Sequence, residues 1–332
     1  MSSTSSKTNL GSNVQTLGEA LIEALERPER RISPIWFYDE RGSALFEDIT
    51  QLPSYYLTRT EIKILDDNLE EISRAIGRDR LVIELGSGSS RKTFRLLRAL
   101  DQPAGYVPVD ISAKYLHQAA ARLSSKLPSL PVVALVADFT TEFQLPPSLP
   151  PHRNRLGFFP GSTVGNLEVT EVQSLLMHCH TILGDEATFL IGVDLDKSPE
   201  VLISAYDDPE GVTAEFNRNL LKRINRELGL AIDPSAFAHE ARYLTNPARI
   251  EMHLVATVDQ TLEISGRTYR LAAGESFHTE TSHKYTIDDF SRLAEKAGWE
   301  LSHYWCDTEK RFAVLLLKAA KVKKNFFMNN NI

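Results

Sequence analysis

The sequence predicts an α/β fold in which a doubly wound, Rossmann-like sheet is closed by an antiparallel hairpin and accompanied by a second α+β lobe. Two observations support this prediction. Apolar strand-like runs alternate with amphipathic helical stretches between about residues 58 and 196, which is typical of βαβ units with buried parallel strands. Near the end of the chain, two strand-like runs at 299–306 and 312–317 lie close enough to pair as a hairpin.

Composition limits the possible functions. The chain has 332 residues, of which 42% are hydrophobic, and its net charge of −7 argues against a nucleic-acid partner and favours a small-molecule substrate. No long apolar run predicts a membrane span or an export signal. Cys179 and Cys306 are far apart, so we expect neither a disulfide framework nor a thiolate metal site, and we expect a cytoplasmic protein. We expect a monomer, although no sequence feature specifies the oligomeric state.

The first part of the chain predicts disorder, then a helix, then an aromatic-rich segment. Residues 1–13 are polar and contain too few apolar side chains to fold. Thr16 is suited to capping a helix that ends before Pro28. The aromatic residues of 35–46 and 52–61 could form either a core wedge or a pocket wall. The hydroxyl groups of Tyr38, Tyr55 and Tyr56 favour the pocket.

A glycine-containing turn follows the first strand, after a long amphipathic helix that runs from Thr58 to Gly77. The strand begins at about Leu81, the turn contains Gly86, and the next helix begins near Ser90. The dinucleotide fingerprint requires a third glycine, where this chain has an arginine instead. The turn therefore favours a ligand without phosphates, and S-adenosylmethionine is the candidate.

Acidic residues end the next two predicted strands. Asp110 ends the second strand, where doubly wound folds hold ribose hydroxyls, although it could also cap a turn or the following helix. Asp138 and Phe139 end a third strand that begins at Val132. Asp138 could accept from an adenine amino group while Phe139 packs nearby, or Asp138 could serve only as a turn residue.

The remaining chain completes the sheet and adds a lobe. We predict a fourth strand at 156–160, a helix at 169–183 and a fifth strand at 187–195. Two helical stretches (199–206 and 211–228) and strand-like stretches (238–258 and 268–284) interrupt the pattern before a last helix at 287–297. His178 and His180 are two residues apart on a helix and point to different faces, so we expect no metal there.

These predictions divide the chain into two folded regions. The core that binds S-adenosylmethionine comprises residues 58–196 and 284–320, and its hairpin is the methyltransferase variant of the doubly wound sheet. A substrate-recognition lobe comprises 14–57 and 197–283, and a disordered tail comprises 321–332.

Several motifs together resemble the histidine-specific Nα-methyltransferases of ergothioneine biosynthesis. In addition to the strand-end residues above, the resemblance rests on the following segments: 36–39 (WFYD), 52–61 (LPSYYLTRTE), 159–166 (FPGSTVGN), 205–208 (AYDD), 216–219 (FNRN), 249–252 (RIEM) and 280–284 (ETSHK). The resemblance covers about residues 17–318. It implies that three S-adenosylmethionine molecules trimethylate the α-amino group of L-histidine, giving hercynine, without a metal.

The resemblance also implies the site residues. Those for S-adenosylmethionine are Tyr38, Gly86, Lys92, Asp110, Asp138 and Phe139. Those for histidine are Tyr56, Gly161, Asn166, Tyr206, Met252, Glu280 and Ser282, and we assign Tyr38 and Asn166 to catalysis.

The implied roles are chemically reasonable. Asn166 and Tyr206 can hydrogen-bond the amino-acid carboxylate and amine, while Glu280 and Ser282 are alternate residues of one strand and can grip an imidazole. Glu280 could otherwise be a solvent-facing strand residue. The amine must lose a proton, either to Tyr38 or to water. Alternative functions are methylation of another amino acid, such as a tryptophan derivative, and S-adenosylmethionine binding without catalysis.

Overall fold

The structure is a computed structural model that describes residues 15–88 and 91–320. Within these ranges the chain divides into two compact units. The larger unit comprises Asp48–Pro209, Arg242–Glu251 and the chain from Thr281 onward. The smaller unit comprises the chain up to Glu47, together with Glu210–Ala241 and Met252–Glu280. The predicted disorder of 1–13 and 321–332, and the predicted helix start near Ser90, lie outside the described residues.

The helices, in chain order, are α1 (Leu17–Glu26), α2 (Glu40–Ile49), α3 (Leu57–Ile76), α4 (Arg91–Ala99), α5 (Ala113–Lys126), α6 (Val169–Leu183), α7 (Pro199–Tyr206), α8 (Val212–Leu228) and α9 (Ile287–Lys296). The strands are β1 (Arg80–Leu85), β2 (Gly105–Asp110), β3 (Leu135–Val136), β4 (Asn154–Phe159), β5 (Thr188–Asp194), β6 (Phe237–Thr245), β7 (Ala248–Ala256), β8 (Gln260–Ile264), β9 (Arg267–Leu271), β10 (Ser276–His283), β11 (Trp299–Cys306) and β12 (Phe312–Ala319). Short 3₁₀ turns occur at Pro34–Phe37, Thr163–Asn166 and Pro234–Ala236.

The larger unit is built on a seven-stranded sheet with the order β11-β12-β5-β4-β1-β2-β3. Strands β1 to β5 are parallel to one another, and β12 is antiparallel to both β5 and β11. Strand β5 is buried along its whole length because it has a neighbour on each side and a covered face on each side. The predicted doubly wound sheet with a closing antiparallel hairpin is confirmed.

Helix periodicity explains why the predicted helices form. Helix α3 buries Ile64, Leu65, Ile72 and Ile76 on one face and ends at Gly77, whose φ of 83° favours glycine. The predicted α6 and α7 match the observed bounds of both helices. The parallel strands of a doubly wound sheet end at a common edge, where ligands bind. The loops that lead from this edge into the helices therefore carry the site.

The smaller unit contains α1, α8, the β8-β9 hairpin and much of a three-stranded sheet with the order β10-β7-β6. The predicted cap of α1 is confirmed, since Thr16 and Glu19 form a reciprocal capping box. Gly42, in the first turn of α2, has no room for a side chain, because an added Cβ would lie 1.8 Å from the carbonyl oxygen of Phe37.

Two predictions of strand length are wrong. The predicted third strand, 132–139, is reduced to β3 and an isolated bridge between Tyr106 and Val132, because an edge strand pairs on one side only. The predicted strand-like stretches 238–258 and 268–284 each divide into two strands, at Asn246–Pro247 and at residues 272–275. The unit boundaries also differ from those predicted, since 48–57 and 197–209 belong to the larger unit.

No helix among the described residues is long and apolar enough to cross a membrane.

Candidate active site

The turn after β1 begins at a backbone position that requires glycine. Gly86 has a φ of 67°, and its N–H donates to the carbonyl oxygen of Val109 on β2 at 2.9 Å. An added Cβ at Gly86 would lie 3.5 Å from the ring of Phe139. The turn therefore brings the partly exposed backbone of Gly86 beside the aromatic ring of Phe139.

Glu84 of β1 stabilises this turn. Its buried carboxylate accepts hydrogen bonds from Thr93 Oγ1 at 2.8 Å and from the hydroxyl of Tyr106. Burial raises the pKa of Glu84 to about 7, although both hydrogen bonds act in the opposite direction. The acidic residue before the glycines is thus a structural anchor of the loop.

Asp110 lies at the carboxyl end of β2. Its Oδ1 accepts the backbone N–H of Ser112 at 2.8 Å, so the turn role that the sequence left open is observed. Burial raises the pKa of Asp110 above its ordinary value, and the backbone N–H groups of Ser112 and Ile111 lower it in part. A ribose role for this carboxylate remains a prediction.

Asp138 and Phe139 follow β3 and differ in their surroundings. Asp138 Oδ1 accepts from Thr140 N at 2.9 Å and from Thr140 Oγ1 at 2.6 Å, which confirms its turn role. The ring of Phe139 packs edge-on against Phe159, with 5.4 Å between the ring centroids. Phe139 therefore connects the β1 turn to the end of β4.

Lys92 is held by a residue that sequence analysis did not select. Its Nζ forms an ion pair with Glu61 of α3, whose side chain is buried. The same carboxylate accepts the backbone N–H of Gly161 at 2.9 Å, and Gly161 has a φ of 86°. Glu61 thus joins α3, α4 and the loop after β4. In the sequence, only the position of Glu61 within the segment 52–61 indicated that this residue belongs to the site.

The 3₁₀ turn Thr163–Asn166 carries Asn166 against the end of β10. An added Cβ at Gly165 would lie 2.8 Å from the carbonyl oxygen of His283 and 3.4 Å from Ser282 Oγ. This close approach places the predicted substrate residues Asn166 and Ser282 on neighbouring segments of the larger unit. The turn is preceded by Ser162, whose Oγ accepts the backbone N–H of Asp194 at 2.9 Å.

Tyr56, Tyr206 and Ser282, three predicted substrate residues, meet in a buried polar cluster with Asp194, Lys197 and Lys284. The Tyr56 hydroxyl donates to Asp194 Oδ1 at 2.7 Å, while Tyr206 Oη and Ser282 Oγ are 2.8 Å apart. Lys284 Nζ donates to Tyr206 Oη at 2.9 Å and to Ser282 Oγ at 2.8 Å. We name these six residues the lysine–aspartate cluster.

The ammonium groups of Lys197 and Lys284 stabilise the ionised carboxylate of Asp194. Asp194 lies 2.8 Å from the ammonium groups of both Lys197 and Lys284, and its side chain is fully buried. Burial raises the pKa of Asp194, but the two ammonium groups outweigh burial and hold the pKa below its usual value. Burial lowers the pKa of Lys197 to about 8, with Asp194 acting in the opposite direction.

Sequence analysis missed Asp194, Lys197 and Lys284 as site residues. Asp194 lies at the end of the predicted fifth strand, 187–195, and Lys284 is the last residue of the segment 280–284. Burial together with Asp194 also raises the pKa of Tyr56, so this phenol keeps its proton. Tyr56 is therefore a hydrogen-bond donor in the cluster.

Three predicted site residues belong to the smaller unit. Tyr38 is 40% exposed and packs edge-on near Phe46 and Phe216, at centroid distances of 5.7 and 5.8 Å. Met252 is buried on β7, and Glu280 is buried on β10 rather than solvent-facing. Thr279 Oγ1 donates to the carbonyl oxygen of Met252 at 3.0 Å, which ties these two strands together.

The histidines of α6 have separate surroundings. The ring of His180 packs edge-on against Trp299, with 5.3 Å between centroids, and His178 lies 3.7 Å from a carboxylate oxygen of exposed Glu142. Cys179 between them is buried in the core, where burial raises its pKa to about 12. The two rings therefore do not converge on one point.

A doubly wound sheet with a closing antiparallel hairpin, a glycine turn after β1 and carboxylates after β2 and β3 defines the class of S-adenosylmethionine-dependent methyltransferases. Residues 17–319 match the sequence profile described as histidine-specific, S-adenosylmethionine-dependent methyltransferase. The chain belongs to this family.

Relatives of known name agree with the family. The chain is 37% identical over 311 residues to the histidine N-alpha-methyltransferase of Mycolicibacterium smegmatis, covering 90% of this chain and 96% of the relative. It is 37% identical to the enzyme of the same name from Mycobacterium tuberculosis, covering 89% and 92%. It is also 30% identical to ergothioneine biosynthesis protein 1 of Neurospora crassa, covering 86% of this chain and 33% of that longer protein.

Proposed function

We propose that this protein transfers methyl groups from S-adenosylmethionine to the α-amino group of L-histidine, three times in succession, to give hercynine in ergothioneine biosynthesis. The observation that carries the proposal is the match of residues 17–319 to the histidine-specific family. The names of the relatives at 37% and 30% identity support the same substrate and pathway.

The chain offers a suitable cradle for S-adenosylmethionine. The backbone of Gly86 lies beside the ring of Phe139, and the Asp110 carboxylate lies at the end of the neighbouring strand. We assign cofactor binding to Tyr38, Gly86, Lys92, Asp110, Asp138 and Phe139. Lys92 acts through its ion pair with Glu61, which fixes the Gly161 loop. The bound cofactor supplies an electrophilic methyl group.

For histidine we propose Tyr56, Gly161, Asn166, Tyr206, Met252, Glu280 and Ser282. Asn166 and Tyr206 would bind the amino-acid end, and Glu280 and Ser282 the imidazole. What supports the last assignment is that Glu280 is buried on β10, two residues before Ser282 on the same strand, where its carboxylate can accept an imidazole N–H. A tryptophan derivative has no second ring nitrogen to offer.

The chain's main catalytic contribution is alignment. Holding the amine at near-attack distance removes several kcal/mol, about 7 or more, from the barrier of a bimolecular reaction. The amine must be neutral to react, and we propose that Tyr38 or water accepts its proton. A Tyr38→Phe variant with the full methylation rate at every pH would assign that role to water.

We also propose that the protein is a monomer in a reducing cytoplasm. Cys179 and Cys306 are both free thiols, which supports a reducing compartment. Light scattering during size-exclusion chromatography would test the monomer directly.

Incubation of the pure protein with S-adenosylmethionine and each amino acid in turn tests the function. We expect mass spectrometry to find a product three methylenes heavier than its substrate with histidine alone. A product with tryptophan instead would favour the alternative substrate class. Cofactor binding without any product would favour a non-catalytic binding protein.

A further inference from the structure

Lys284 is the more deeply buried of the two lysines in the lysine–aspartate cluster, and the proposed function assigns it no role. Its side chain has a relative exposure of 0%, as has that of Asp194, its counter-ion. An ammonium group has three N–H donors. In this structure their acceptors are Asp194 Oδ2 at 2.8 Å, Tyr206 Oη at 2.9 Å and Ser282 Oγ at 2.8 Å. Each donor therefore has a specific partner.

The cluster does not need Lys284 to neutralise Asp194. Lys197 Nζ already lies 2.8 Å from Asp194 Oδ1 and also donates to the Tyr56 hydroxyl at 2.7 Å. Burying a second ammonium beside one carboxylate carries a desolvation cost that charge pairing alone does not explain. The two hydroxyl partners of Lys284 therefore require their own explanation.

Lys284 constrains how these hydroxyls can act. An oxygen that accepts a hydrogen bond from an ammonium directs its own hydrogen away from that ammonium, and accepting from a cation strengthens its donation. Tyr206 and Ser282 are also 2.8 Å from each other, so their orientations are coupled. The ring of Tyr206 lies under the same ammonium, 4.6 Å from Nζ to the centroid, which fixes the ring as well.

We propose that Lys284 is a positioning residue that orients the hydroxyl pair of Tyr206 and Ser282, so that one hydroxyl donates to the other and the remaining hydrogen points toward an acceptor atom of the amino-acid substrate. The inference rests on the proposed function and deepens it, because it determines which protonation state of the substrate is bound. A donor at this position selects an acceptor, such as an unprotonated imidazole nitrogen or a carboxylate oxygen. Lys284 itself does not touch the substrate in this account.

Steady-state kinetics of Lys284→Met tests the role, because methionine keeps the length of the side chain but removes its donors. We expect the KM for histidine to rise about tenfold or more, while the affinity for S-adenosylhomocysteine, measured by calorimetry, changes less than about twofold. Lys318→Met is the matched control, since Lys318 is an exposed lysine of the same unit, and should leave both quantities unchanged. An unchanged KM in folded Lys284→Met would overturn the inference.

A double-mutant cycle separates positioning from a purely structural role. If Lys284 acts through Ser282, then Lys284→Met should raise the histidine KM much less in a Ser282→Ala background than in the wild type. Positioning would be contradicted if Lys284→Met raised the histidine KM by the same factor in the wild type, in the Ser282→Ala background and in a Tyr206→Phe background.

A third variant covers the case in which Lys284→Met does not fold. Lys284→Arg keeps a positive charge beside Asp194, which removes one reason for misfolding, and its changed donor geometry should still raise the KM for histidine. A wild-type KM in this variant would overturn the inference. Absence of histidine methylation by the wild-type protein would instead overturn the proposed function itself, so the two failures are distinguishable.

Discussion

Glu61 shows how one buried side chain determines the residue types around it. Its carboxylate pairs with Lys92, accepts the N–H of Gly161 and lies directly over Gly192 of β5, where an added Cβ would be 2.1 Å from Glu61 Oε1. Gly192 must be glycine for this reason, although it lies in an otherwise apolar strand. The segment 52–61, which contains Glu61, therefore holds Lys92, one of the proposed cofactor residues, from helix α3.

Replacement of Gly192 by alanine should displace the Glu61 carboxylate. We expect a loss of about 1–3 kcal/mol in the free energy of unfolding from overpacking, measured by denaturant titration, together with weaker binding of S-adenosylhomocysteine. Gly18→Ala is the control, since its Cβ would make only an ordinary contact at 3.5 Å. Unchanged stability and affinity in Gly192→Ala would show that Glu61 is not held as described.

Glu84 gives the protein a specific pH dependence. Its pKa is about 7 in the folded protein against an ordinary value of 4.5, so between these values the folded state binds more protons than the unfolded state. Stability conferred by the protonated carboxyl is thus fully present below pH 4.5 and is lost as the pH rises through 7. The loss is about 3 kcal/mol across this window.

A Glu84→Gln variant isolates this contribution. The difference in unfolding free energy between wild type and variant should shift against the wild type by that amount between pH 4.5 and pH 7, because glutamine does not titrate. Other titrating groups cancel in the comparison. A pH-independent difference would mean that Glu84 stays ionised in the folded protein.

Sequence analysis predicted the residues at strand ends but not the three charged residues of the lysine–aspartate cluster. Asp110 and Asp138 follow apolar runs at a spacing that the doubly wound fold explains, so position along the chain was sufficient. Asp194, Lys197 and Lys284 meet only after β5 and the end of β10 come together, and no local pattern marks a lysine as buried. Asp194 and Lys284 are about ninety residues apart in the chain, so only the three-dimensional structure shows that they pair.

At the scale of elements, the 3₁₀ turn Thr163–Asn166 carries Asn166, one of the proposed substrate residues. Its backbone packs so closely on the end of β10 that only glycine fits at 165. The loop follows the predicted fourth strand, at the edge where ligands bind in open α/β sheets, but nothing in the sequence indicated its partner strand. It also overestimated β3, since an apolar run does not reveal that a strand lies at an edge.

A Gly165→Ala substitution tests this packing. The new Cβ would meet the backbone oxygen of His283 at 2.8 Å, so the turn must move away from β10 and take Asn166 with it. We expect the KM for histidine to rise at least about tenfold, with stability lowered by about 1–3 kcal/mol. Cofactor affinity should stay near wild type. A wild-type KM for histidine in this variant would mean that Asn166 does not take part in substrate binding.

At the scale of the whole molecule, the class of protein can be tested without turnover. S-Adenosylhomocysteine at about one hundred times its Kd should raise the free energy of unfolding by about 2.7 kcal/mol, because it binds the folded state alone. NAD should give no such increase, since the turn after β1 lacks the third glycine that approaches a pyrophosphate. Thermal unfolding with each ligand measures both effects, and stabilisation by NAD would contradict the assignment of the turn.

The central claim is that the protein methylates the α-amino nitrogen of L-histidine. Its most direct test is NMR of the product formed from L-histidine and S-adenosylmethionine carrying a ¹³C-labelled methyl group. The account predicts a single resonance from equivalent methyl groups on the α-nitrogen, with a long-range correlation to the α-hydrogen and an unmodified imidazole ring. Label on a ring nitrogen, or no labelled product, would contradict it.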